Sequence, residues 1–117
     1  RWNMLHPLEK QPRVPYVAEQ LGSRKGPAVA ATDYVRLFPE QIRPYLGDRR
    51  YFTLGTDGFG RSDMRSQLRR FFEVDRHYVA VAALHALMDE GEVEPAVVAQ
   101  AIKAYRIDPD KANPTTV

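Results

Sequence analysis

No cysteine occurs among the 117 residues, which excludes disulfides, zinc-thiolate sites and thiol nucleophiles from this stretch and suits a reducing compartment. Long apolar runs are missing as well. The longest, Tyr78 to Leu84, is interrupted by His85 and falls well short of the roughly 18 to 20 residues of a membrane span. Neither sign of charge dominates: seventeen basic against fifteen acidic side chains leave a formal net charge of +2, too small a surplus to imply nucleic acid as a partner. Histidine is sparse. We expect none of His6, His77 and His85 to share a helix face with a carboxylate at ligand spacing, which leaves a metal site without support. No internal repeat and no signal-peptide pattern is present.

What the chain does contain suits one small domain with one core: 44% hydrophobic and 27% charged residues, the balance of a soluble globular protein. It starts at Arg1, and residues 1–13 are rich in proline and polar groups, so they read as an irregular lead-in reached from upstream. A piece of a longer polypeptide is the expectation.

Apolar spacing then supplies the elements. Val14, Val17, Ala18 and Leu21 predict a short amphipathic helix from about Pro15, ended by Gly22. The run Pro27 to Ala31 suits a strand buried on both faces of a parallel sheet. Leu37 to Leu46 reads as a helix with Pro39 at a first helical position, ended by Pro44 and Gly47. Arg50 to Leu54 is the second strand, so strand, helix and strand alternate as in a parallel crossover unit. A helix from about Met64, capped by Ser62 or Asp63, carries Met64, Leu68, Phe71 and Phe72 on one face. Residues Arg76 to Asp89 form the next, with Asp75 as cap and Gly91 as stop. Glu94-Pro95 opens the last, and residues 108–117 are an irregular tail. Two strands alone leave unpaired edges, so further strands are expected from upstream.

Between the second strand and the following helix lies Gly-Thr-Asp-Gly-Phe-Gly-Arg-Ser-Asp, Gly55 to Asp63. Its glycines permit sharp turning or close backbone approach. The plainer reading is a connecting turn; the alternative is an anion cradle made by the N–H groups of Gly58 to Arg61 and the start of the helix, with Arg61 as a fork. The spacing matches neither the dinucleotide fingerprint nor the Walker loop. Arg61, Arg65 and Arg69 recur every four residues, a basic helix that is either a solvated face or a contact for an acidic partner. Ser62 reads as a cap rather than a nucleophile, Asp57 and Asp63 as turn and cap residues, and Tyr34 and Phe38 as packing.

Three blocks carry a resemblance: Gly26-Pro27-Ala28-Val29-Ala30-Ala31-Thr32-Asp33-Tyr34, the nine residues from Gly55, and Phe71-Phe72-Glu73-Val74-Asp75. With Arg1 to Pro7 and Asp110 to Pro114, they make the whole chain resemble the carboxyl-terminal part of the homodimeric bacterial pyruvate dehydrogenase first-component family, enzymes of transketolase-like architecture. The resemblance implies an α/β fold: the later part of a three-layer transketolase C-terminal-like domain with a mostly parallel sheet, helix-rich in its second half. It also implies a cytoplasmic, homodimeric subunit of a multienzyme complex. Such a subunit decarboxylates pyruvate on thiamine diphosphate with Mg2+, bound outside this segment, and passes the acetyl group to the lipoyl-bearing acetyltransferase component. No catalytic, cofactor or metal residue is carried onto this chain, since Thr56-Asp57-Gly58 only superficially matches the family's cofactor motif. Tyr34, Gly55, Asp57, Gly58, Phe59, Gly60, Arg61 and Asp63 are expected to serve as a structural or interface loop. A free-standing interaction module using Arg61, Arg65 and Arg69 is the alternative.

Overall fold

The computed structural model describes all residues 1–117. Seven elements matter here: α1 (Trp2–Leu5), β1 (Ala28–Ala31), α2 (Leu37–Glu40), β2 (Tyr51–Leu54), α3 (Arg65–Phe71), α4 (Arg76–Asp89) and α5 (Pro95–Ala104). The two strands pair in parallel, with Ala28 opposite Tyr51 and Ala31 opposite Leu54. Helix α4 packs on both strands and on α5. The chain therefore has the α/β character expected of it.

Helix α4 keeps its expected bounds because both of its ends are chemically specified. The Asp75 carboxylate accepts the His77 and Tyr78 backbone N–H groups at 2.9 and 3.0 Å, satisfying donors that have no partner inside the helix. Helices α3, α4 and α5 all end in a left-handed residue, Glu73 at φ 62°, Gly91 at 78° and Arg106 at 53°. In each, the next N–H reaches back five residues, as from Val74 to the Arg69 carbonyl at 3.0 Å, the Schellman closure.

Other expectations change. The stretch from Leu37 to Leu46 is not one helix: α2 stops at Glu40 and a 3-10 turn occupies Arg43–Tyr45, since Pro44 offers no N–H and its ring crowds the preceding turn. Pro39 sits third in α2, still inside the first turn. The segment after Pro15 runs through Gly22 as a π-helical turn, Ala18–Gly22, whose Gly22 lies so close to the Tyr45 carbonyl that a Cβ would stand 3.2 Å from it. Helix α3 starts one residue later than expected. Met64 is its N-cap residue with no side-chain cap, and Asp63 instead accepts the Met64 N–H at 2.7 Å. The lead-in is not wholly irregular, because Trp2 stacks on His6 at 4.1 Å and under Arg13 at 4.1 Å. Asn3 closes that loop with two hydrogen bonds to the Arg13 backbone.

The core is thin. Leu46, Tyr51, Phe72, Val74, Ala86 and Val98 are its buried apolar side chains, joined by Pro114 from the tail. Strand β1, expected to be covered on both faces, is only half-buried and Ala31 is exposed. The accessible surface is 8834 Å2, whereas a compact monomer of this mass shows about 6,500 Å2. The radius of gyration is 17.7 Å, against about 13 Å for a compact domain of this length. The surplus is roughly 2,300 Å2, and the extents of 55 × 36 × 20 Å show that the chain is elongated.

Candidate functional site

In a parallel sheet the loops that leave the carboxyl ends of the strands lie side by side, and these loops are where α/β proteins place their sites. Here the loop after β1 brings Asp33, Tyr34 and Arg36, and the loop after β2 brings the glycine block. They touch backbone to backbone. The Thr56 N–H donates to the Tyr34 carbonyl at 2.9 Å, and its hydroxyl to the Asp33 carbonyl at 3.1 Å. Gly55 is required by this approach, because a Cβ there would lie 2.6 Å from Arg36 Cγ and 2.8 Å from the Tyr34 carbonyl oxygen.

Asp57 locks the same pair of loops. Its carboxylate accepts the Arg36 backbone N–H at 3.0 Å and ion-pairs with the Arg36 guanidinium. Those hydrogen bonds, the guanidinium's above all, hold the carboxyl below the usual range. Gly58, at φ 94°, faces the tail, where a Cβ would come within 3.1 Å of Thr115 Cα and 3.2 Å of the Pro114 carbonyl. Gly60 has open space around it. Phe59 is exposed, and so is Tyr34, whose ring tilts against Phe38 at 5.0 Å.

Beside these loops opens a cleft of about 360 Å3, lined by Asp33, Arg61, Asp63, Arg65 and Arg69 among others. Arg65 and Arg69 converge on Asp33 at 3.5 and 3.3 Å. Arg61 is not on α3; it lies in the loop before it, with its guanidinium 5.2 Å from the Phe71 ring centre. The basic row is thus a helix pair plus a loop residue. The anion cradle is also altered, since residues 61–64 separate the glycines from the first turn of α3.

Three participants had no local signal in the sequence. Arg36 finds Asp57 across twenty-one positions, Asp33 collects two arginines, and the tail is a packed strap rather than a loose end. Lys111 Nζ donates to the Phe71 carbonyl at 2.8 Å and pairs with Glu73 at 3.0 Å. Asn113 turns the chain by accepting the Thr115 N–H at 2.9 Å. One histidine expectation is corrected: His85 does share a helix face with a carboxylate, Asp89, at 3.5 Å. Arg50 takes the same Asp89 oxygen at 3.7 Å, so that carboxylate is already an arginine's ion-pair partner. His77 Nδ1 lies 3.3 Å from Arg70 Nη1, and its ring stacks on Tyr105 at 4.7 Å.

These residues do not fit thiamine diphosphate with a divalent ion. Asp57, the carboxylate of the Thr56-Asp57-Gly58 trio, is consumed by Arg36, and Gly58 is pressed against Pro114 and Thr115.

The family described as transketolase-like TK C-terminal domain matches residues 3–75, which hold both strands, the glycine block and α3. The chain belongs to this family. Curated relatives extend the likeness through α4, α5 and the tail. The chain is 60% identical over 114 residues to the pyruvate dehydrogenase E1 component of Pseudomonas aeruginosa, covering 97% of the chain and 13% of that protein. It is 59% identical over all 117 residues to that of Cupriavidus necator, again 13% of the relative. To that of Escherichia coli K12 it is 58% identical over 114 residues, 12% of the relative. As a transketolase-like C-terminal domain, the chain thus spans about one-eighth of the length of these relatives. Among its helices none is long and apolar enough to cross a membrane.

Proposed function

We propose that residues 1–117 form part of one C-terminal α/β domain of a pyruvate dehydrogenase first component. In this reading the whole cytoplasmic subunit uses thiamine diphosphate and Mg2+, held outside this segment, to decarboxylate pyruvate. It then hands the acetyl group to the lipoyl group of an acetyltransferase component. The cofactor supplies the carbanion chemistry. This segment supplies scaffold and support for a homodimer. The observation that carries the reading is 60% identity across 97% of the chain to a protein of that name. The surplus of exposed surface supports it, because a segment built into a large subunit needs faces that its neighbours cover.

Within that role the glycine block and Tyr34 hold and present the loops at the strand ends; they do no chemistry. The reading is tested by producing the full-length subunit and a version lacking residues 1–117. Thiamine-dependent pyruvate decarboxylation and dimer mass are measured for both. Activity in the full-length protein, with loss of the dimer on deletion, is expected. A full-length protein without thiamine-dependent turnover of pyruvate would refute the assignment.

A further inference from the structure

We propose that the arginine cleft, with exposed apolar side chains next to it along the chain, is a docking surface for an acidic segment of the same polypeptide, supplied from outside residues 1–117. This rests on reading the chain as part of a larger subunit. The cleft holds more guanidinium than its own carboxylates satisfy. Asp63 is committed through one oxygen to the Met64 N–H at 2.7 Å. Asp33 alone serves Arg65 at 3.5 Å and Arg69 at 3.3 Å, both longer than the ~2.7–2.9 Å of a charge-assisted hydrogen bond. The Arg69 atom that faces Asp33 is Nε, shielded from water, and at 3.3 Å it makes an ion-pair contact without a formed hydrogen bond. The Arg65 side chain is 81% exposed, so its planar fork is free to take a second carboxylate in bidentate fashion.

Exposed apolar side chains that neighbour the lining residues along the chain point to the kind of occupant. Tyr34, Phe59 and Met64 are 61, 80 and 68% exposed, and each adjoins in sequence a residue that lines the cleft. Arginine with tyrosine, phenylalanine and methionine is the composition of protein interface cores. A free phosphate gains nothing from exposed apolar side chains; a peptide carboxylate flanked by apolar residues uses both them and the arginines. Of the lining residues Thr56 is fixed by its hydrogen bond to Tyr34, in a loop that Asp57 and Arg36 also hold, which lowers the ordering cost of docking. Size points to the source. Across the whole chain the surplus surface is roughly 2,300 Å2, against the ~800 Å2 that each partner contributes to a standard interface. The matched relatives carry about seven-eighths of their length elsewhere.

The test uses the full-length subunit carrying Arg65→Lys, treated with a zero-length carbodiimide that joins an amine to a carboxylate in contact with it. Peptide mass spectrometry then locates the partner. The expected product joins position 65 to an Asp or Glu outside residues 1–117 within one subunit. Products confined to Asp33 or Asp63, a product joining two copies at twice the subunit mass, or suppression of the reaction by inorganic phosphate would each overturn the proposal. Peroxide oxidation of Met64 in the unsubstituted full-length subunit is the second readout. It should run at least tenfold slower than in the unfolded chain, and an equal rate sinks the docking surface. Neither readout needs enzymatic turnover, so a missing thiamine-dependent activity would count against the assignment of function and leave this result to be judged separately.

Discussion

Three glycines within six positions should respond very differently to the same added methyl group, because only two of them are held in place by their surroundings. At Gly55 an alanine Cβ would overlap backbone at 2.8 Å on two sides, Arg36 N and the Tyr34 carbonyl. Neither neighbour is a flexible tip that can swing away. Relief requires the two strand-end loops to part, which strains the Thr56 to Tyr34 hydrogen bond and the Asp57 to Arg36 pair. An overpacking penalty at the upper end, about 3 kcal/mol, follows. At Gly58 the φ of 94° disfavours any Cβ by about 1–2 kcal/mol, and the tail must also give by a few tenths of an ångström. The total is about 2 kcal/mol. Gly60→Ala meets nothing within 4 Å and should be neutral or gain up to about 1 kcal/mol by stiffening the unfolded chain. Native-state hydrogen exchange of the Thr56 and Thr32 amides in the full-length subunit reads these changes locally. Both amides bridge the two strand ends, to Tyr34 and Leu54, at 2.9 Å. Exchange should accelerate on the order of a hundredfold for Gly55→Ala, about thirtyfold for Gly58→Ala, and not at all for Gly60→Ala. Equal effects at Gly55 and Gly60 would show that close approach is not what the first glycine provides.

Two further outcomes are expected. Glu40 is held to a pKa of about 2, below the ordinary 4.5, chiefly by the Arg43 side-chain hydrogen bond and then by that of Thr53. Its stabilising contribution is complete above pH 4.5 and lost as pH falls towards 2. With its side chain a third exposed, Glu40→Gln should cost about 1 kcal/mol at pH 7. Chemical denaturation at both pH values should show the difference from the parent vanish at the acid end. Arg106→Gly should stabilise by about 1 kcal/mol, because the closing residue of α5 sits at φ 53° and glycine carries no Cβ penalty there. The local unfolding free energy of α5 amides measures it.

How far the sequence was legible follows from the range of the determining forces. Helix α4 was readable to the residue because Asp75 and Gly91 act within a turn of the ends they define. The two strands were readable as short apolar runs, and their parallel pairing followed from the intervening helical spacing. That spacing misled between Leu37 and Leu46, where apolar periodicity persists across Pro44 but the backbone hydrogen bond does not. The glycine block stood out as a site of unusual backbone geometry. What it was for did not, because Arg36, Asp33, Pro114 and Thr115 lie far from it along the chain and nothing local encodes their meeting. The π-helical turn through Gly22 and the Trp2 stack were likewise set by contacts rather than by period.

The strap from Lys111 to Thr115 has a kinetic consequence. Joining Gly58 to Thr115 closes a loop of roughly sixty residues, whose entropic expense is recovered only once α3, α4 and α5 have shortened the path between its ends. The expected order therefore leaves the glycine block unlatched until those helices have formed, with the seam between tail and loop closing after them.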